Sequence, residues 1–276
     1  MKNAIVNIYK TLFFFDFAIV VAYYLPVPEP ANPALAAVFK QGASFAVVLL
    51  FTLVFAWLVE RKKLKILNSR HLFRHYSIGL LCGVIPLGVT VGLLWVFRRL
   101  AFTGKSGADN LLLWLLALLL EAAANEFLLR GYLFRLYRKY YNLPVTVGLL
   151  SVLYLSLNLA TFRIGKTYAL NLIALHLICC LLAEYTHSLL APIVARFCYH
   201  LFSAFTLGSL SILPDLPHLL TYSVSGSPRL TGGERGLEGS LLLLLLQLGV
   251  CLYFAKKFWN GKPFSFPRRA KKRIKR

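Results

Sequence analysis

The stretch EAAANEFLLRGYLF, residues 121–134, places Glu121, Asn125, Glu126 and Arg130 inside a long apolar run. A charge at the centre of a membrane-spanning helix costs about 2.5–3.5 kcal/mol. Two carboxylates, an amide and a guanidinium within ten residues therefore need partners or a purpose. Residues four apart on a helix lie one above the other, so Glu121 shares a face with Asn125, and Glu126 with Arg130. Two readings follow: a structural polar cluster that ties helices together, or an intramembrane active site.

The surrounding chain decides what could position such a group. Of its 276 residues, 58% are hydrophobic and 15% charged. Apolar runs near the ~20-residue spanning length recur. The fold expected is all-α, a polytopic membrane protein with about eight transmembrane helices in one bundle. The spans fall at about 12–27, 42–59, 76–97, 110–132, 144–160, 168–184, 189–207 and 241–255. Continuous Leu-rich runs argue against a β-barrel. Residues 1–109 hold the first three spans, 110–207 the next four, 208–255 a loop and the last span, and 256–276 a basic tail.

The net charge of +21 does not indicate nucleic acid. The bases lie in loops and the tail rather than among aromatics on one face, so they read as topology signals and as contacts with anionic lipid head groups. Six Lys or Arg between positions 60 and 75, with ten more in the tail, place both termini in the cytoplasm. Arg98 and Arg99 dissent. The first run reads as a retained helix, with Asp16 near one end. Gly79, Gly83, Gly88 and Gly92 form two small-xxx-small pairs, a surface for close helix packing. Pro86 is expected to kink the third span. Cys82, Cys179, Cys180, Cys198 and Cys251 lack metal-ligand spacing and read as small apolar residues. Residues 185–188 make a tight turn between the sixth and seventh spans.

Three pieces of this core, in this order, resemble one family. NEFLLRGYLF resembles the EExxxRG motif of the CPBP family, the CAAX prenyl proteases and bacteriocin-processing (Abi-like) membrane proteins. SVLYLSLNLA resembles the segment bearing the family's FxxxH motif, and EYTHSLLAPIVARFCYH the one bearing HxxxN. The resemblance covers about residues 112–205. It implies an intramembrane endopeptidase of the glutamic or metallo type in the bacterial plasma membrane. In that family the first Glu of EExxxR activates water, and two His and an Asn bind metal or stabilise the oxyanion. Carried over by position, these four are Asn125, Asn158, Arg196 and His200, and all four are substituted. Tyr154 stands for the Phe of FxxxH. Glu126 and Arg130 are kept, and the resemblance implies an ion pair that fixes the helix end.

Asn has no basic site near neutrality, and Arg is a donor that stays charged and repels a cation. The inherited mechanism is therefore not expected to run. No cofactor is expected, and zinc would be possible only if the site were rebuilt. Glu121, one turn before Asn125, and His200, one turn after Arg196, could meet as base and electrophile, with His176 as a third member. The structural alternative is a buried Glu121–Arg196 ion pair and a core His176. The reading favoured is a catalytically degenerate homologue that binds a peptide, lipid or partner helix. The first alternative is an active endopeptidase, working on prenylated or leader-bearing peptides through Glu121 and His200. The second is a transporter or lipid-handling protein. Expected partners are membrane lipids, with anionic head groups at the tail, and such a peptide or membrane protein.

Overall fold

The computed structural model describes residues 2–59 and 71–261. The basic tail beyond 261 and most of the basic segment 60–75 lie outside the described residues, and so does most of the charge used to orient the termini. Within them the chain is an all-α membrane protein. Six helices are long and apolar enough to cross a membrane. They belong to α1 (Lys2–Tyr24), α2 (Pro33–Val54, continued by a π-turn, Phe55–Val59), α3 (Leu72–Val96), α4 (Leu111–Tyr140), α6 (Lys166–Thr186) and α8 (Leu241–Gly261). Two shorter apolar helices complete the set, α5 (Leu143–Leu157) and α7 (Leu190–Thr206). All eight expected apolar segments are helical, but α5 and α7 are shorter than the six.

Local signals start and stop these helices as their residue types dictate. Asn32 caps α2, its side-chain oxygen accepting from the Ala34 and Leu35 amides at 3.0 and 3.3 Å, with Pro33 in the first turn. Asn142 caps α5 through the Val145 amide at 3.1 Å. The turn between α6 and α7 is as short as its sequence suggests. His187 adopts a left-handed conformation at φ 50° and Ser188 Oγ accepts from the Leu190 amide.

Three boundaries differ most from expectation. α2 begins at Pro33 rather than near 42, because Asn32 and Pro33 start the helix inside the Pro-rich stretch. α1 begins about ten residues earlier, which puts Asp16 in the helix interior rather than near an end, exposed beside Phe13 and Phe17. α4 runs on to Tyr140, so the polar stretch lies inside the helix and not at its end. It opens into a π-turn at Phe127–Leu133, directly after Glu126. Such a turn holds one residue more than an α-turn and is often found at functional sites.

The glycines of α3 divide by role. A Cβ at Gly79 would meet the Ala191 carbonyl oxygen at 2.5 Å, and one at Gly83 would run into the Ala195 carbonyl. There α3 lies backbone against backbone on α7. Gly92 faces open space and Gly88 only its own helix, so the second glycine pair makes no such contact. Gly131 packs similarly, with Thr52 of α2 at 3.0 Å from its would-be Cβ.

The loop after α7 is folded. Its strand β2 (Leu220–Val224) pairs antiparallel with β1 (Leu100–Lys105), between α3 and α4. Gly236, at φ 72°, turns the chain so that Glu238 enters the bundle fully buried. Ser203 and Ser209 donate to its carboxylate, and the Asn171 amide donates to the Glu238 and Ser240 carbonyls at 2.7 and 2.9 Å. Burial pushes the Glu238 carboxyl above its ordinary range, against the pull of the two serines. A raised acid holds its proton more tightly folded than unfolded. Its contribution is therefore full at low pH and is lost as pH rises above about 4.5 towards the raised value. Thermal melting in nanodiscs should fall with rising pH in that window, and Glu238→Gln should flatten the profile. Parallel profiles for the two proteins would count against this.

Candidate active-site cluster

The charged residues of α4 meet α6 and α7 in the core. The helical spacing that pairs Glu126 with Arg130 holds, at 2.6 Å between Oε2 and Nη1, with both side chains wholly buried. The other carboxylate oxygen, Glu126 Oε1, accepts from Arg196 Nε of α7 at 2.7 Å. One carboxylate is thus shared between two guanidiniums. Arg130 Nη2 also donates to the His176 carbonyl at 2.7 Å and lies 3.0 Å from His176 Nδ1.

His176 is fully buried and lies flat against Tyr154, with ring centroids 4.5 Å apart at 19°. The Arg196 guanidinium carbon sits 5.7 Å from the Tyr154 centroid. Tyr154 therefore touches both the imidazole and a cation, a stacking arrangement that suits its π face. His176 is accounted for as a partnered core residue.

A second group lies one turn away along the same helices. Glu121 Oε2 is 2.8 Å from His200 Nδ1, and Asn125 Nδ2 donates to Glu121 Oε1 at 2.6 Å. Glu121 and Asn125 are only partly buried, so this group lies closer to the surface than the first. His200 Nε2 makes no hydrogen bond among the described residues.

The structure thus brings together Glu121, Asn125, Glu126, Arg130, Arg196 and His200, with Glu126 on Arg130 and Glu121 beside Asn125 and His200 as their spacing allows, and only the partner of Arg196 differs from expectation. The proposed Glu121–Arg196 ion pair is not formed. Arg196 reaches Glu126 instead, because its position on α7 sets it opposite the deeper carboxylate, and His200, one turn on, meets Glu121. Glu126 and Arg130 do not fix a helix end, since α4 continues past them. Asn158 stays out of the cluster: α5 ends at Leu157, Asn158 caps it, and its amide donates to the Tyr154 carbonyl at 2.9 Å. Tyr154, one turn earlier, takes the place beside His176. Sequence reasoning missed Glu238, whose Gly-rich surroundings carry no periodic signal.

Within the cluster, two buried donors have no hydrogen-bond partner among the described residues, Arg196 Nη2 and Arg130 Nε. The donor set does not fit a divalent cation. Among the described residues no three His, Cys, Asp or Glu come together as metal ligands. Arg196, at the centre of the cluster, is a guanidinium and offers no lone pair.

Charges buried between the helices of a polytopic membrane protein are costly and mark this cluster as a functional-site candidate. Residues 107–202 match the family model described as type II CAAX prenyl endopeptidase Rce1-like. The match takes in every residue of the cluster, and the chain before 107 and after 202 lies outside it. No curated protein and no solved structure matches.

Proposed function

We propose that this is a catalytically degenerate relative of the CAAX-type membrane endopeptidases, which holds a peptide, lipid or partner helix without cleaving it. The observation that carries this is Arg196. It occupies a position where the family has histidine and takes up Glu126, so neither oxygen of that carboxylate is left to activate water. Asn125, which replaces the family's water-activating carboxylate, serves only to hold Glu121. Buried unsatisfied donors are costly, and Arg196 Nη2 is held in the cluster without an acceptor. The distribution of bases along the sequence supports a cytoplasmic side for both termini.

One contact favours a second reading. A carboxylate on Nδ1 of His200 fixes the tautomer that leaves Nε2 as a base, and Glu121 is itself held by Asn125. An active endopeptidase with its site moved one turn along both helices would look like this. The test is cleavage of farnesylated CAAX peptides and leader peptides by the purified protein in nanodiscs, with Glu121→Gln and His200→Ala alongside. We expect saturable peptide binding and no cleavage. Cleavage that either substitution abolishes would replace the first reading with the second.

A further inference from the structure

Away from the charged cluster, α3 and α8 part on the outer surface and leave an apolar groove of about 390 Å3. Leu81, Cys82 and Ile85 line one wall, and Gly249, Val250 and Tyr253 the other. Leu81, Ile85 and Tyr253 are each about half exposed or more, so the groove opens to lipid rather than into the bundle. Its volume falls within the range of small-molecule sites.

At the end of the groove where α3 begins and α8 ends, three polar side chains converge. The Tyr185 hydroxyl accepts from Arg74 Nη2 at 2.8 Å and from Lys257 Nζ at 2.9 Å. Both cations are exposed, and neither forms an ion pair with a carboxylate among the described residues. The neighbouring acid, Glu184, is already engaged by Arg138 through both oxygens at 2.6 and 3.0 Å. The other titratable neighbours, His71 just before α3, His75 of α3 and Lys256 of α8, add no negative charge. A guanidinium and an ammonium have no lone pairs, so neither can take the phenol's own hydrogen. Two like charges drawn to one oxygen, with spare donors on all three groups, are complementary to an anion.

We propose that the α3–α8 groove binds an anionic phospholipid. Its phosphate oxygens accept from Arg74, Lys257 and the Tyr185 hydroxyl, and one acyl chain lies along the groove past Gly249. Basic pockets between helices at a membrane surface recognise acidic head groups by the same chemistry.

Phosphatidylglycerol with a photoactivatable acyl chain, diluted into phosphatidylcholine nanodiscs holding the full chain, tests this. Crosslinks should map to α3 and α8 along the groove, and the same label on phosphatidylcholine should give far fewer. Arg74→Gln with Lys257→Gln should weaken the preference about thirtyfold, from two bases at the surface. Gly249→Phe is the control for the chain. Nothing lies within 4 Å of a Cβ there, so a larger side chain can leave the backbone at 249 without a clash and occupy groove volume. Groove labelling should vanish while the melting temperature stays. Equal labelling by the two lipids would overturn the proposal. So would labelling that survives Gly249→Phe, or that millimolar inorganic phosphate competes away in that variant, because the chain would then have no part in binding.

Discussion

Glu126→Gln should be among the most destabilising single substitutions in this protein. The carboxylate is fully buried and accepts from Arg130 and Arg196 at 2.6 and 2.7 Å. An amide of the same shape offers one acceptor, carries no charge and turns two N–H donors towards one of the guanidiniums. Breaking a buried ion pair by removing one partner costs about 3–5 kcal/mol, because the remaining charge is left uncompensated. Here two charges are left. The purified variant should melt well below the parent in detergent, or fail to accumulate. Adding Arg196→Gln should recover part of the loss, since it removes one stranded cation. A double variant worse than Glu126→Gln by the full effect of Arg196→Gln would show that the two residues do not communicate. A well-folded Glu126→Gln that has lost only activity would instead put Glu126 in the chemistry.

Gly83→Val carries the second large effect. The Cβ of any larger residue at 83 would run into the Ala195 carbonyl, a backbone group that cannot rotate away. Overpacking costs about 1–3 kcal/mol even where side chains can shift. At this position α3 and α7 must separate, and with them the helix that carries Arg196 and His200. The expected outcome is a large drop in melting temperature together with loss of any peptide binding. Gly92→Ala serves as the control, because nothing lies within 4 Å of its Cβ and alanine is the better helix former by up to about 1 kcal/mol. Equal behaviour of Gly83→Val and Gly92→Ala would remove close packing as the role of the α3 glycines.

The parts of the cluster that were legible in the sequence are those set by helical period. Glu126 with Arg130, and Glu121 with Asn125, are four apart on α4 and pair as the spacing requires. That His200 could reach Glu121 was also readable, since each sits one turn from a family position. Which carboxylate Arg196 would choose was not, because that depends on the depth at which α7 is clamped to its neighbours, a contact seventy positions away in sequence. The start of α5 agrees with its expected place beside the Asn142 cap, whereas the start of α2 was missed although Asn32 and Pro33 mark it. The end of α4 was misread because Arg135, Arg138 and Lys139 look like a terminus, although Arg138 is turned inwards to Glu184. Glu238 and the paired strands were hidden in a loop whose Ser, Gly and Pro content says only that it is irregular.

The β1–β2 pairing also sets a rule of parity. One strand follows α3 and the other follows α7, and they hydrogen-bond to each other, so the α3–α4 and α7–α8 connections lie on one side of the membrane. An even number of crossings must therefore separate them. α4 and α6 account for two. The remaining helices in between, α5 and α7, are the two short ones, and they must both cross or both turn back. Gly79 facing Ala191 and Gly83 facing Ala195 show that α7 runs parallel to α3, so the fate of α5 is tied to a contact in which it takes no part.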